Sequence, residues 1–310
     1  MRKDVYYHSK FTESYSSLQD LLYYISTYAW FRLESHSKHS APVGEVDITN
    51  TLVAEILTAL CQEKANLPIR FFHAKDENRN GNDLEIIVPI DNYTSIIMPC
   101  QAKKLYVDKI ANNLIAKYNV ISHPVKKDTI NEKEQICCLL DYAKEIGGFP
   151  LYLFYNYTES LVEINQQYPE KELYGCTLTN AQYLFEKYYD ANATNNKMRS
   201  FTFQDIHPPS KPLVSLLNTQ SLPLKTFFGE SQSTAKLKFY KNTDLLEQKF
   251  WVERCPPFSK DVERGSPESK SLEAILGAKT LIPEEYPFKP KYRIMLLNKP
   301  IVHRDKNVTL

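Results

Sequence analysis

Between Gly81 and Leu105 the chain reads GNDLEIIVPIDNYTSIIMPCQAKKL. Two acids, Asp83 and Glu85, stand at the head of one β-rich run. An amide and an ammonium group, Gln101 and Lys103, close the next. A carboxylate, an amide oxygen and neighbouring backbone carbonyls, such as that of Ala102, form a hard-oxygen donor set of the kind Mg2+ takes. Such an ion can acidify a water and neutralise charge on a phosphoryl oxygen. A lysine two residues from the amide can orient that water or stabilise the charge gathering on phosphorus. These are the parts that phosphodiester hydrolysis needs.

For the four side chains to meet, the two runs must pair as a hairpin. Asp91-Asn92-Tyr93 suits its centre, because Asp and Asn favour turns. Pairing about residue 92 sets Asp83 opposite Gln101. Side chains alternate along a strand, so Asp83 and Glu85 then share one face with Gln101 and Lys103. Directly opposed Cβ atoms would lie about 4.5–5.5 Å apart. A one-residue slip would send the set to the other face.

The flanking elements follow from periodicity. SSLQDLLYYISTYAWFRLES carries Leu18, Leu21, Leu22, Ile25 and Trp30 at helical spacing behind a Ser16/Gln19 capping pattern, and the polar SHSKHSAPVG should end it. A second helix should start at Asp47 or Thr49, either of which can cap it. IRFFHAK reads as a strand, LYVDKIANNLIAKY as a helix, and NEKEQICCLLDYAKEIGG as a helix stopped by Gly147. FPLYLFYNY reads as a buried strand, because its apolar and aromatic residues run on without alternation. Further on, NAQYLFEKYYD suggests a helix and KYRIMLL a strand, while STAKLKFYK interleaves Lys236, Lys238 and Lys241 with Phe239 and Tyr240, the pattern of a charged exposed strand and, as the alternative, of one that touches a nucleic-acid backbone. With no Gly/Ser-rich connector, the later half should pack on the first.

Bulk composition narrows the classes. The 310 residues are 43% hydrophobic and 24% charged with a net charge of +1, so no global field points to a polyanion or a membrane; any such site must be local. Neither a bilayer-spanning apolar run nor a secretory signal is present. The six cysteines lack CxxC spacing and the seven histidines lack HExxH, which argues for reduced thiols in a cytoplasmic protein and against a zinc centre. No glycine-rich phosphate loop occurs among only 8 glycines.

The arrangement resembles the PD-(D/E)XK nuclease superfamily, in which an Asp begins the second core strand and an acid-x-Lys or Gln-x-Lys closes the third. Gln101-Ala102-Lys103 matches the Gln-x-Lys form of the Mrr-like branch, and GNDLEI matches the Gly-x-Asp segment at Asp83. Pro150, Tyr152, Tyr155 and Asn156 are similar to the P-x-Y-x-x-Y-N strand of a bacterial restriction-like family. The likeness covers residues 45–157, in the order helix, three strands, helix, strand. It implies an α/β fold: a restriction-endonuclease-like mixed sheet flanked by helices, with an extra N-terminal helix and a C-terminal α+β extension. Residues 1–160 would form the core and 161–310 an accessory region packed on it.

Many members add an acid from the first core helix; here Glu45 is the first candidate and Glu55 the second. The chain departs from the usual pattern at Gln101, where most enzymes of the superfamily carry Asp or Glu. One negative charge is thereby lost, which Glu85 or Glu45 would have to supply. The implied activity is Mg2+- or Mn2+-dependent cleavage of nucleic acid, with DNA the expected substrate, in a restriction or antiviral-defence setting. Asp83, Gln101 and Glu85 would be metal ligands; Asp83, Gln101, Lys103 and Glu45 would form the catalytic set. A homodimer or a defence-system protein is the partner to expect, and no membrane. The competing expectation is a nuclease-fold module without catalysis that binds nucleic acid or serves as an adaptor.

Overall fold

In a computed structural model the described residues are 15, 17–39, 42–61, 67–74, 84–110, 113–118, 124–125, 133–158, 170–189, 201–221, 237–246, 251–254 and 290–297. Helix α1 (Leu18–His39) buries Leu18, Leu21, Leu22, Ile25 and Trp30, as their spacing requires. Ser17 Oγ accepts the Asp20 amide at 3.1 Å and caps it. The polar segment expected to end this helix instead extends it to His39: Lys38 pairs with Glu34 one turn back at 2.7 Å, and a polar run can stay helical on a solvent face. Helix α2 (Glu45–Cys61) starts earlier than expected, because Asp47 serves inside its first turn, accepting the Gly44 amide at 2.7 Å. Glu45 therefore sits in the helix, on its first turn.

Strands β1 (Ile69–Ala74), β2 (Leu84–Pro89) and β3 (Thr94–Lys104) follow. The turn between β2 and β3 is built by Asp91, whose carboxylate accepts the amides of Tyr93 and Thr94 at 2.7 Å each. The ladder runs from Leu84 opposite Cys100 to Pro89 opposite Ser95, every pair symmetric about residue 92, as expected.

The described residues 106–110 and 113–118 are not helical as expected. They form a hairpin of β4 (Tyr106–Ile110) and β5 (Asn113–Tyr118). Local helix propensity there is weak, and packing overrides it: Tyr118 is buried, with ring centroids 4.5 Å from Phe154 and 5.3 Å from Phe201. A short pair, β6 (Pro124–Val125) and β7 (Lys133–Glu134), leads into α3 (Gln135–Ile146), which stops at left-handed Gly147. Strand β8 (Leu151–Tyr155) is buried at every position.

The later half supplies β9 (Cys176–Asn180), α4 (Ala181–Tyr188), β10 (Phe201–Thr202), α5 (Phe203–Ile206), β11 (Lys211–Pro212), a 3-10 segment (Leu213–Ser221), β12 (Tyr240–Lys241), α6 (Asn242–Leu246), β13 (Trp251–Arg254) and β14 (Tyr292–Leu296). The main sheet is mixed, with nine strands among the described residues, in the order β11-β9-β8-β3-β2-β14-β1-β13 and β12 beside β3. The expected division at residue 160 does not describe this sheet. Strand β14 lies between β1 and β2, parallel to β2 and antiparallel to β1. Its five residues are all buried, the pattern of a strand covered on both faces. Core and extension are one sheet.

Helices α1 and α2 cover one face, where Leu22, Ile25, Leu52 and Ile56 meet Leu84, Ile86, Leu153 and Ile294. On the other, α3 brings Tyr142 to Glu85. Among the described cysteines Cys100, Cys138 and Cys176 are buried. Among the described residues no helix is long and apolar enough to cross a membrane.

Candidate active site

The carboxyl end of β3 is flanked by β8, which pairs Gln101 with Tyr152 and Lys103 with Phe154. Alternation puts Gln101 and Lys103 on one face and Lys104 on the other. Asp83 lies outside the described residues. Gln101 is 3% exposed, and its Oε1 accepts no hydrogen bond among the described residues. A buried acceptor left unsatisfied costs roughly 1–3 kcal/mol, so such atoms ask for an explanation.

Lys103 is also buried, and its ammonium stands 3.9 Å from Glu45 Oε1, the outer limit of an ion pair. The other oxygen of Glu45 accepts the backbone N–H of Lys104 at 3.2 Å. Burial raises the Glu45 carboxyl above its ordinary value; the Lys103 charge, the Lys104 amide and the Lys104 charge oppose that rise without cancelling it. The first turn of α2 thus brings an acid to the lysine that closes β3.

A lysine at the end of a strand usually keeps its ammonium in water, and Lys104 does not. It is instead buried, donating to the Val43 carbonyl at 2.7 Å with its ammonium 4.5 Å from the Tyr106 ring centroid. Burial lowers its pKa, with Glu45 and Asp47 opposing.

Glu85 shares the face of Gln101 but has other work. It is 0% exposed, and Arg293 from β14 holds its Oε2 with Nη2 at 2.6 Å and Nε at 2.8 Å. The Tyr142 hydroxyl donates to its Oε1. Both oxygens are engaged, so Glu85 is corrected from metal ligand to half of a buried ion pair. Arg293 escaped the sequence reading, although a lone arginine inside the apolar run KYRIMLL signals a buried partner. Glu55 accepts from the Tyr15 hydroxyl at 2.7 Å and lies roughly 15 Å along α2 from Glu45 by helical rise.

Tyr155 and Asn156 are both 0% exposed. The Tyr155 hydroxyl lies 2.9 Å from Thr49 Oγ1, tying β8 to α2. Asn156 Nδ2 donates to the Tyr174 carbonyl at 2.9 Å and to Thr177 Oγ1 at 2.8 Å, while its Oδ1 accepts from Tyr118. Lys238, Phe239 and Lys241 are exposed beside the first residues of β3, at the other end of the strand from Gln101; Lys236 lies outside the described residues.

Among the described residues no three His, Cys, Asp or Glu side chains gather as a metal cluster. The donors described at the end of β3 are one carboxylate, Glu45, and the amide oxygen of Gln101. An orphaned, buried amide oxygen is a donor type that Mg2+ or Mn2+ accepts, so the residues fit a hard cation in kind. Glu45 supplies one negative charge there.

The chain belongs to the family described as a family of unknown function (DUF6615), whose model matches residues 18–299. That match runs from the start of α1 past β14, so the family unit spans the strands from both halves of the chain. No curated protein and no solved structure matches the chain.

Proposed function

We propose that this protein is a divalent-metal-dependent nuclease of restriction-endonuclease-like fold that hydrolyses phosphodiester bonds in DNA. The observation that carries the reading is the orphaned Oε1 of buried Gln101, on the same sheet face as Lys103, whose ammonium reaches the Glu45 carboxylate at 3.9 Å. The element order supports it as well. A helix bearing an acid precedes β1, β2 and β3, and a helix then precedes β8, which runs parallel to β3.

In this reading Gln101 and Asp83 hold Mg2+ or Mn2+, with the Ala102 carbonyl and Glu45 contributing. When bound, the ion supplies charge neutralisation at a phosphoryl oxygen and acidification of water. Lys103 donates to the attacking water or to the phosphoryl oxygen on which charge gathers. Glu45 fixes the direction of that ammonium. Burial of Lys103 and partial burial of Glu45 strengthen their interaction relative to water.

The test is conversion of supercoiled plasmid DNA with Mg2+ by wild type, Lys103→Ala and Asp83→Ala. Removing one charge-stabilising donor should slow cleavage about 10²–10³-fold. Cleavage that survives both substitutions sinks the site. The neutral Gln101 and the sequestered Glu85 favour a second reading, a module that binds nucleic acid without cutting it; DNA binding without cleavage by wild type would select that one.

A further inference from the structure

We infer that Lys104 is the positioning residue of this site: it anchors the first turn of α2 against β3 and so sets the Glu45 carboxylate beside Lys103. The inference rests on the proposed nuclease reading for its catalytic meaning, but its geometry stands apart from it. A lysine on a strand end normally keeps its ammonium in water. Lys104 is only 6% exposed, and it donates to the carbonyl of Val43, two residues ahead of Glu45. The Tyr106 ring, at 4.5 Å, covers the same ammonium. Its backbone N–H holds Glu45 Oε2 at 3.2 Å. One residue therefore grips the chain before Glu45 by its side chain and the carboxylate of Glu45 by its amide. What remains is Oε1, the atom nearest the Lys103 ammonium.

The body of α2 has its own fastening. Thr49 meets Tyr155 at 2.9 Å, and Ile48, Leu52 and Ile56 are buried in the core. Loss of the Lys104 ammonium should accordingly loosen the turn that carries Glu45 and leave the helix in place. The two lysines thus divide by face: Lys103 acts on the substrate and Lys104 acts through Glu45.

The experiment uses the full chain as wild type, Lys104→Met and Lys104→Arg. Zero-length carbodiimide coupling of Glu45 to Lys103, mapped by peptide mass spectrometry, reads their proximity whether or not the protein cuts DNA. Coupling should fall about tenfold in Lys104→Met and return to near the wild-type level in Lys104→Arg, which can still donate to Val43. Should the Met variant not fold, Lys104→Gln, whose shorter side chain stops short of the Val43 carbonyl, gives the same reading. In plasmid cleavage Lys104→Met should lose about 10²-fold, and it should add nothing in a Glu45→Gln background. Wild-type coupling in folded Lys104→Met overturns the inference, as does a full further loss in the Glu45→Gln background. Lys104-dependent coupling in a protein that never cuts DNA would leave the inference standing and sink the nuclease reading alone.

Discussion

Two polar clusters share one face of the main sheet and treat burial in opposite ways. Glu85, opposite Pro99 on β3, has both carboxylate oxygens occupied by Arg293 and Tyr142. Gln101, the next residue of β3 on that face, keeps an oxygen with no partner among the described residues, and the nearby Lys103–Glu45 pair is stretched to 3.9 Å. A buried polar group is tolerated when its partners are internal, as at Glu85. Where no partner is found among the described residues, as at Gln101, the polar atom carries a cost that a bound ion or substrate would offset. The first cluster holds β14 in the sheet.

The largest effect expected from that contrast is at the saturated cluster. Arg293→Met strands the Glu85 carboxylate in the core and should cost about 3–5 kcal/mol of stability in denaturant unfolding. Replacing Glu85 and Arg293 together by apolar residues should recover much of that loss. A cost near zero for Arg293→Met would erase the distinction between the clusters.

At the unsatisfied cluster the sign should reverse. Gln101→Leu removes the orphaned acceptor and should raise stability by about 1 kcal/mol while abolishing Mn2+ binding, a trade of function for stability. A destabilised Gln101→Leu would show that Oε1 has a partner in the native state.

The smallest effect sharpens the comparison through pH. Burial raises the Glu45 carboxyl in the folded chain. Its stability contribution is therefore complete below the ordinary glutamate value, near pH ~4.3, and is lost as pH rises through the elevated folded value. Glu45→Gln should melt at a higher temperature than wild type at neutral pH, and the difference should vanish in acid. A melting difference that grows on acidification would contradict the sign.

Sequence and structure agree where the information is local. Asp91 in its turn fixes a register symmetric about residue 92, and alternation alone then sets Gln101 and Lys103 on one face. The apolar stripe of α1 was legible for the same reason. Contacts between distant segments were not. Arg293 meets Glu85 across 208 positions, and nothing near Glu85 announces that partner. Without it, Glu85 reads as a spare carboxylate and β14 as part of an appendage. The pairing of β4 with β5 was not legible because its strand state depends on Phe154 and Phe201, neither of them local. The burial of Lys104 was not legible either, because strand-end lysines are usually wet and only the approach of Val43 covers this one.

The most direct measurement is an anomalous difference map from crystals soaked in Mn2+. The expected result is a peak about 2.1 Å from Gln101 Oε1, the distance typical of a hard divalent ion and an oxygen ligand. A well-occupied Mn2+ site elsewhere in the chain, with Gln101 Oε1 hydrogen-bonded to protein or water, would contradict the proposal that this buried amide exists to hold a metal.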